Sequence, residues 1–315
     1  MLNFVWNKKG QIYQPSGHHF INSHAQIPTP IYLKDRGIIR IYIATRPNNN
    51  LSETTYIDVD AKDPKNILYI HDKAVLEFGR PGMFDEHGIM PNFAQEVNNR
   101  IYLYYIGWSR RDSIPYSNWA GVAISDDRGD TFTKYSPAPI IDRAHNDLYS
   151  AGISSVLIDE KGIWHCWYAS GIDWVMVNGK YEQTYSIRHA VSNDGLSWKR
   201  DDHYAIEPRN EWEAITRPTV IKIDGIYYMW FCFRGSKDYR DGTQSYRIGF
   251  AWSDDLNTWH RDDSKAGISV SSEGWDSKMM AYPYVIKVED KYLMFYNGNY
   301  FGREGFGYAE LEIRK

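Results

Sequence analysis

Five segments of the chain follow one pattern: a proline or small residue, a short apolar stretch, a tight polar turn, and a second stretch dense in aromatics. They read IPTPIYLKDRGIIRIYIATR from Ile27, IMPNFAQEVNNRIYLYYIGW from Ile89, ISSVLIDEKGIWHCWYASG from Ile153, TRPTVIKIDGIYYMWFCFRG from Thr216 and AYPYVIKVEDKYLMFYNGN from Ala281. With Pro30, Pro91, Ser155, Pro218 and Pro283 as equivalent points, the offsets are 61, 64, 63 and 65 residues, so the 315 residues divide into five units. Such a unit has room for four short strands and carries no helical periodicity. Four-stranded units repeated radially form a β-propeller. The expected fold is therefore all-β: a single five-bladed propeller domain over residues 1–315, each blade made of four antiparallel strands.

The later strands repeat as well. SDDRGDTFTKY from Ser125, SNDGLSWKRDD from Ser192 and SDDLNTWHRDD from Ser253 each end one strand, turn on Asp, Asn or Gly, and begin another with an aromatic. Those residues tolerate tight hairpin geometry, so the motifs are expected to be structural turns between third and fourth strands. The fifth unit stops after a third strand, GFGYAELEIRK, while the N-terminal NFVWNKKGQIYQP resembles the fourth-strand segment LSWKRDDHYAIEP. Pairing the first strand with the last blade removes an exposed edge, which predicts that Asn3 to Asn7 supply the outermost strand of blade five.

A content of 43% hydrophobic and 16% aromatic residues can fill a large core. The formal net charge of −4 gives no support for nucleic-acid binding. MLNFVWNKKG lacks the apolar run of a signal peptide and no stretch is long enough for a membrane helix, so the expectation is a cytoplasmic protein with no membrane partner. Cys166 and Cys232 fall in second strands of different blades without CxxC or His spacing and read as two buried thiols. No cofactor is implied. A central divalent metal would have no recognisable ligand spacing, although His18, His19, His24, His87 and His145 fall near the face described next.

In an antiparallel blade the start of strand one, the end of strand two and the start of strand three share one face of the disc. On that face lie the long connections RPNNNLSETT after Thr45, SRRDSIPYSNW after Trp108, GIDWVMVNGKYEQ after Ser170 and RGSKDYRDGTQS after Phe233. Long loops on a rigid scaffold are where binding and catalysis concentrate. The same face receives a carboxylate ahead of nearly every innermost strand: Asp85 and Glu86 in FDEHGIMP, Asp147 in NDLYSAGISS, Glu211 and Glu213 in EWEAITRP, and Asp276 in GWDSKMMAYP. Convergent carboxylates of unequal environment are what glycosidic-bond cleavage needs, one protonated and one ionised. Asp85, Glu86, Asp147, Glu213 and Asp276 are thus the candidate catalytic residues. Glu213 is the favoured proton donor, because Trp212, Ala214 and Ile215 offer it a dry setting, and Asp276 after Trp275 is the reserve.

With five blades, the SxDGxxW turn at Ser192 to Trp198 and these aspartates, the whole chain resembles the five-bladed propeller superfamily of glycoside hydrolases, which contains families 43, 32, 68, 117 and 130. The resemblance implies a carbohydrate-active enzyme. In families 43 and 32 the first blade opens with a catalytic Asp, whereas SHAQIPTPI here offers only Ser23, His24 and Gln26. Any acid/base pair must then come from blades two to five, or hydrolysis has been lost. By position Asp85 or Glu86 matches the second-blade carboxylate of the superfamily, and Asp147 approximates its third-blade acid.

Arg46, Arg110, Arg111, Arg217, Arg234, Lys237, Lys278 and Arg303 also read onto this face. They either neutralise the acidic cluster or bind a carboxylate or phosphate on a ligand. Trp108, Trp119, Trp174, Tyr239, Tyr282 and Tyr300 could supply stacking surfaces for sugar rings. The expected substrate-binding set is His24, Arg46, Trp108, Asp173, Arg217, Arg234, Lys278 and Asn297. The expected function is cleavage of a glycosidic bond, by hydrolysis or phosphorolysis, in an anionic or phosphate-bearing sugar. The alternative is a non-hydrolytic propeller that binds a glycan or nucleotide sugar in polysaccharide assembly. Sugar, linkage, stereochemical outcome and oligomeric state stay open at this level.

Overall fold

The structure is a computed structural model that describes residues 2–314. Its twenty strands form five separate four-stranded antiparallel sheets. Blade one holds β2 (Gln26–Leu33), β3 (Ile38–Thr45), β4 (Glu53–Asp60) and β5 (Ile67–Ile70). Blade two holds β6 (Gly88–Val97), β7 (Arg100–Arg110), β8 (Tyr116–Ser125) and β9 (Thr133–Lys134). Blade three holds β10 (Ala151–Ile158), β11 (Trp164–Val177), β12 (Lys180–Ser192) and β13 (Lys199–Ile206). Blade four holds β14 (Ala214–Ile223), β15 (Ile226–Arg234), β16 (Arg247–Ser253) and β17 (His260–Arg261). Blade five holds β18 (Ala281–Val288), β19 (Lys291–Asn297) and β20 (Phe306–Arg314), and is completed by β1 (Asn3–Tyr13).

The ring closes as the sequence predicts, with a longer clasp: Asn3 pairs with Arg314 and the ladder runs to Tyr13 opposite Phe306. The innermost strands β2, β6, β10, β14 and β18 contact one another in cyclic order. Apolar side chains fill each gap between adjacent blades. Ile31, Tyr42 and Leu103 pack between blades one and two, Tyr104, Ile153 and Tyr168 between two and three, and Trp167, Met229 and Phe231 between three and four. Trp230, Phe250 and Met294 pack between four and five, and Ile41, Phe295 and Phe306 between five and one. Cys166 and Cys232 are both buried and unpaired, and burial raises both thiol pKa values.

The three Ser-x-Asp motifs are turns, as expected. In each, the Ser hydroxyl donates to the Asp two residues on (Ser125 to Asp127 2.7 Å, Ser192 to Asp194 2.8 Å, Ser253 to Asp255 3.1 Å). The same Asp accepts backbone N–H groups further along, from Thr131, Ser197 and Thr258. Burial works against the Asp127 carboxylate, but these hydrogen bonds prevail and hold its pKa down at about 2.

Three innermost strands carry a bulge at one shared position. The register skips two residues between Gln26 and Thr29, between Thr216 and Thr219, and between Ala281 and Tyr284. The skipped pairs are Ile27-Pro28, Arg217-Pro218 and Tyr282-Pro283, and Ile27, Arg217 and Tyr282 adopt left-handed φ of 58°, 55° and 57°. Each such conformation costs about 1–3 kcal/mol in a non-glycine residue. The proline that follows has no N–H to lose, so the ladder sacrifices no donor there. The bulges also place Pro28, not Pro30, in register with Pro218 and Pro283, a two-residue correction to the blade-one alignment read from sequence.

Candidate active site

All three bulged residues, Ile27, Arg217 and Tyr282, line one central cavity of about 540 Å³. A bulge re-aims a side chain that would otherwise lie along the sheet, so the strained backbone is spent where the blades meet. Gln26, Met90, Asn92, Ala151, Gly152 and Thr216 complete the innermost wall, and Arg46, Trp108, Arg110, Arg111, Tyr116, Gln183, Tyr185 and Tyr246 come down from the loops and strand ends of the predicted face. A second lobe of about 470 Å³ shares Gln26, Arg46, Tyr116, Tyr185, Tyr246 and Tyr282 with the first and extends to His24, Glu182, Arg234, Tyr239, Arg240, Asp241, Tyr300 and Arg303.

The expectation that the carboxylates of different blades converge in the funnel is corrected by the structure. Asp85, Glu86, Asp147, Glu213 and Asp276 line neither lobe, although Glu213 lines a separate cavity of about 470 Å³ with Trp212, Arg234, Lys237 and Arg247. Four of them instead close a recurring device inside their own blades. Asp85 accepts from Tyr105 Oη on the second strand (3.2 Å) and from Lys134 Nζ on the fourth (2.6 Å). Asp147 accepts from Tyr168 Oη (3.0 Å), Ser170 Oγ (2.5 Å) and Arg200 Nη1 (3.0 Å). Asp276 accepts from Tyr296 Oη (3.0 Å) and from Lys8 Nζ on β1 (2.7 Å). Glu213 takes a two-pronged grip from Arg261 on β17 (2.9 and 2.7 Å), whose guanidinium lies over Phe231 where other blades have a tyrosine. Glu86 sits apart, accepting from Gly82 N (2.8 Å) beside His87. Side chains at strand openings can turn inward to the funnel or back onto the blade, and here a half-buried cation on the outer strand draws them back.

The fourth-strand cations had a sequence signal. Each stands two residues after an aromatic: Phe132 and Lys134, Trp198 and Arg200, Trp259 and Arg261, Trp6 and Lys8. Blade one lacks the whole device. Register sets Ile70 opposite Ile57, where the other blades set the cation opposite Ala123, Ala190, Ala251 and Ala309. Ile43 stands in the aromatic place beside Ile21 in the same apolar cluster.

Of the expected binding residues, His24, Arg46, Trp108, Arg217 and Arg234 line the joined cleft. Asp173 is exposed on β11 and caps Trp174 N (2.7 Å). Lys278 is turned to Tyr300 Oη (2.9 Å) and lines neither lobe. Asn297 is fully buried, accepting from Ile27 N (2.8 Å) and donating to the carbonyls of Ala25 (2.8 Å) and Gly305 (2.7 Å). It ties blade five to blade one rather than facing a ligand. Sequence reasoning overlooked Asn92, Asn118, Gln183, Tyr116, Tyr185 and Tyr246, neutral groups that resemble any other strand residue until topology gathers them.

Apart from Arg240, which pairs with Glu182 in the outer lobe, the cleft arginines are held by neutral acceptors. Arg217, 2% exposed, donates from Nη1 to Asn92 O and Oδ1 and from Nη2 to Pro28 O (3.0 Å) and Thr29 Oγ1 (2.9 Å), spanning blades four, two and one. Burial pushes its pKa down to about 10, so it remains a cation at neutral pH. Arg234 donates to Tyr185 Oη, Gly235 O, Ser236 Oγ and Gln183 O and lies 3.8 Å from the ring centre of Tyr239. Arg46 reaches Asn50 and Gln26, with its Nε buried and unpartnered. Among the described residues, none of Arg46, Arg110, Arg111, Arg217, Arg234 and Arg303 forms an ion pair with a carboxylate. Burial, then Arg46 and Arg303, push His24 down to a pKa of about 4, leaving a neutral imidazole between two guanidiniums. The arginines therefore do not neutralise an acidic cluster. No group of three or more His, Cys, Asp or Glu among the described residues is placed to hold a metal, and none of their helices is long and apolar enough to cross a membrane.

The same five-bladed fold occurs in solved glycoside hydrolases: one glycoside hydrolase matches 99% of the chain over 92% of its own (TM-score 0.71, 18% identity), and a thermostable family-43 glycoside hydrolase matches 96% over 92% (TM-score 0.67, 17% identity). No protein-family model matches the chain. The uncharacterized protein Rv1502 of Mycobacterium tuberculosis is 36% identical over 310 residues, 98% of this chain and 99% of that protein, and the chain belongs to one family with it. A β-1,2-mannobiose phosphorylase of Thermoanaerobacter sp. is 30% identical over 176 residues, a match that spans 52% of this chain and 53% of that enzyme.

Proposed function

We propose that the protein cleaves a glycosidic bond by phosphorolysis, acting on an anionic or phosphate-bearing saccharide in the joined cleft. The observation that carries this reading is the set of central-cavity arginines, Arg46, Arg110, Arg111 and Arg217, none of which has a carboxylate partner, around a cavity that no carboxylate lines. Hydrolysis by the usual route needs two carboxylates at the scissile bond. Phosphorolysis needs a site that brings in and orients an anion, and guanidiniums do this with planar, two-pronged geometry. A phosphate oxygen then bonds to the anomeric carbon as the bond from that carbon to the leaving oxygen breaks, and the leaving oxygen takes up a proton. That proton comes from the attacking hydrogen phosphate, which gives it up on becoming the sugar phosphate, and the hydroxyls of Tyr116, Tyr246 and Tyr282, kept protonated by burial, offer a relay for it. Trp108 supplies an apolar face for a sugar ring. The partial match to a phosphorylase supports the same chemistry. In this reading Asp85, Asp147, Glu213 and Asp276 hold the blades together.

The absence of a cavity carboxylate also favours a second reading, a propeller that binds a glycan or nucleotide sugar without cleaving it. Incubation with β-1,2-mannobiose and with phosphorylated or uronic disaccharides, each with and without inorganic phosphate, separates the two. Phosphate-dependent release of a sugar 1-phosphate, lost in Arg217→Met, supports phosphorolysis. Tight saccharide binding without any product supports the second reading, and reducing sugar released without phosphate refutes both.

A further inference from the structure

The outer lobe has a positive surplus of its own. Arg46, Arg234, Arg240 and Arg303 line it against Glu182 and Asp241, and Glu182 is already engaged by Arg240 Nη2 and Tyr239 Oη, each at 2.6 Å. Arg303 follows a segment held at a cost: Tyr300 and Phe301 both take left-handed backbone, with φ of 58° and 56°. Two consecutive bulky residues in that region are strained. The strained turn docks against blade one, where Ala25 N donates to Gly302 O (2.9 Å), and presents Arg303 to the same lobe as His24 and Arg46. Arg110 and Arg111 descend from blade two to the central cavity, whereas Arg303 comes from blade five, two blades away around the ring. The two arginine groups share only Arg46.

We infer that the outer lobe is a second anion site, which takes a phosphoryl or carboxylate group carried by the saccharide itself while inorganic phosphate occupies the central cavity. This deepens the proposed reading of the cleft and rests on it. A group borne by the sugar fits better here than a free ion, because Tyr239, Tyr300 and Phe301 line the lobe beside the cations and give a ring a surface to cover. The buried, unpartnered Nε of Arg46 lies where the two lobes join. The saccharide would lie across that junction, with its charged end toward Arg303.

The test is isothermal titration of the full chain with mannose, mannose 6-phosphate and glucuronate in phosphate-saturated buffer, and with inorganic phosphate alone in phosphate-free buffer. The proteins compared are wild type, Arg303→Gln, His24→Gln and Arg111→Gln, each checked by its melting temperature. The expected result is mannose 6-phosphate binding at least about ten-fold more tightly than mannose, an advantage that Arg303→Gln loses while keeping its affinity for inorganic phosphate. Arg111→Gln should show the reverse. A tighter glucuronate than mannose 6-phosphate assigns the lobe to carboxylates, and the opposite order assigns it to phosphoryl groups. Equal affinity for mannose and both anionic sugars in wild type, or an advantage that survives both Arg303→Gln and His24→Gln, overturns the inference. Selective binding without phosphate-dependent cleavage would sink phosphorolysis and leave the second anion site standing.

Discussion

Asp147→Asn should unfold blade three's inner corner without touching chemistry. The Asp147 side chain is 0% exposed and meets Arg200 Nη1 at 3.0 Å and Arg188 Nε at 3.7 Å, with Tyr168 and Ser170 hydroxyls on the same two oxygens. The amide keeps the shape and can still accept a hydroxyl, but it removes the charge that offsets two guanidiniums exposed to 7% and 20%. Breaking a buried pair by removing one partner typically costs about 3–5 kcal/mol. For a chain of this length the entropy of unfolding converts about 4 kcal/mol into a drop of about 6 °C in melting temperature. Calorimetry and urea unfolding of Asp147→Asn, Arg200→Met and the double variant measure it. The double variant should cost less than the sum of the singles, because the closer pair is then removed together and only Arg188 loses its carboxylate. Turnover per folded molecule should stay within about three-fold of wild type, since a group outside the cleft supplies no transition-state contact. A variant that melts within 1 °C of wild type yet loses turnover by about a thousand-fold or more would show that Asp147 does chemistry, and the reading of the blade device would be wrong.

Gly88→Ala would place a Cβ 1.7 Å from Trp108 Nε1, so Trp108 must leave the cavity wall; KM for the saccharide should rise about ten-fold or more with a smaller change in kcat, and an unchanged KM would remove Trp108 from sugar contact. Deletion of residues 1–13 strips blade five of its outer strand and Asp276 of Lys8; size-exclusion chromatography should show association or unfolding through the exposed β20 edge, and a monomeric, fully folded product would contradict the closure role. His24, with a folded pKa of about 4 against an ordinary 6.5, favours the folded state above about pH 6.5. Unfolded chains take up the proton first, so that contribution fades between about pH 6.5 and 4, with an upper limit of about 3.4 kcal/mol that water in the open cleft screens to about 1–2 kcal/mol. His24→Gln should lose that much of the wild-type acid sensitivity between pH 7.5 and 4.5 in urea titrations, and identical pH slopes would refute it.

The propeller was legible because its determinants are local and repeated. A Ser-x-Asp turn, an aromatic second strand and an N-terminal strand that reads like a fourth strand each state their place without reference to distant residues. The site was half legible. Face assignment follows from strand direction alone, and it brought Arg46, Trp108, Arg217 and Arg234 to the cleft. Which way a strand-opening carboxylate turns depends on a partner about fifty residues away in chain, as with Asp147 and Arg200 or Glu213 and Arg261. The aromatic-x-cation pattern in four outer strands was visible but reads as an ordinary amphipathic strand until pairing shows what the cation touches. Asn297 illustrates the limit from the other side: a polar residue at the end of a second strand on the correct face, fully consumed by backbone groups of the neighbouring blade.

Blade one argues most directly about what the four blade carboxylates are for. It sets Ile43 and Ile70 in the aromatic and cation places, with Ile21 in the same apolar cluster, and still pairs, closes and packs like its neighbours. Exchange of a buried ionic set for apolar residues of similar volume is often neutral for stability, provided that all partners change at once. A device that can be exchanged as a unit for isoleucine has a packing role in its blade. Glu182 and Asp241 stay in the outer lobe, but the central cavity is lined by guanidiniums and no carboxylate. A low-dielectric funnel lined with one sign of charge concentrates ions of the other sign. Under the proposed phosphorolysis the enzyme need not carry its own nucleophile, because the field that binds an anionic substrate would also deliver phosphate to the bond that breaks.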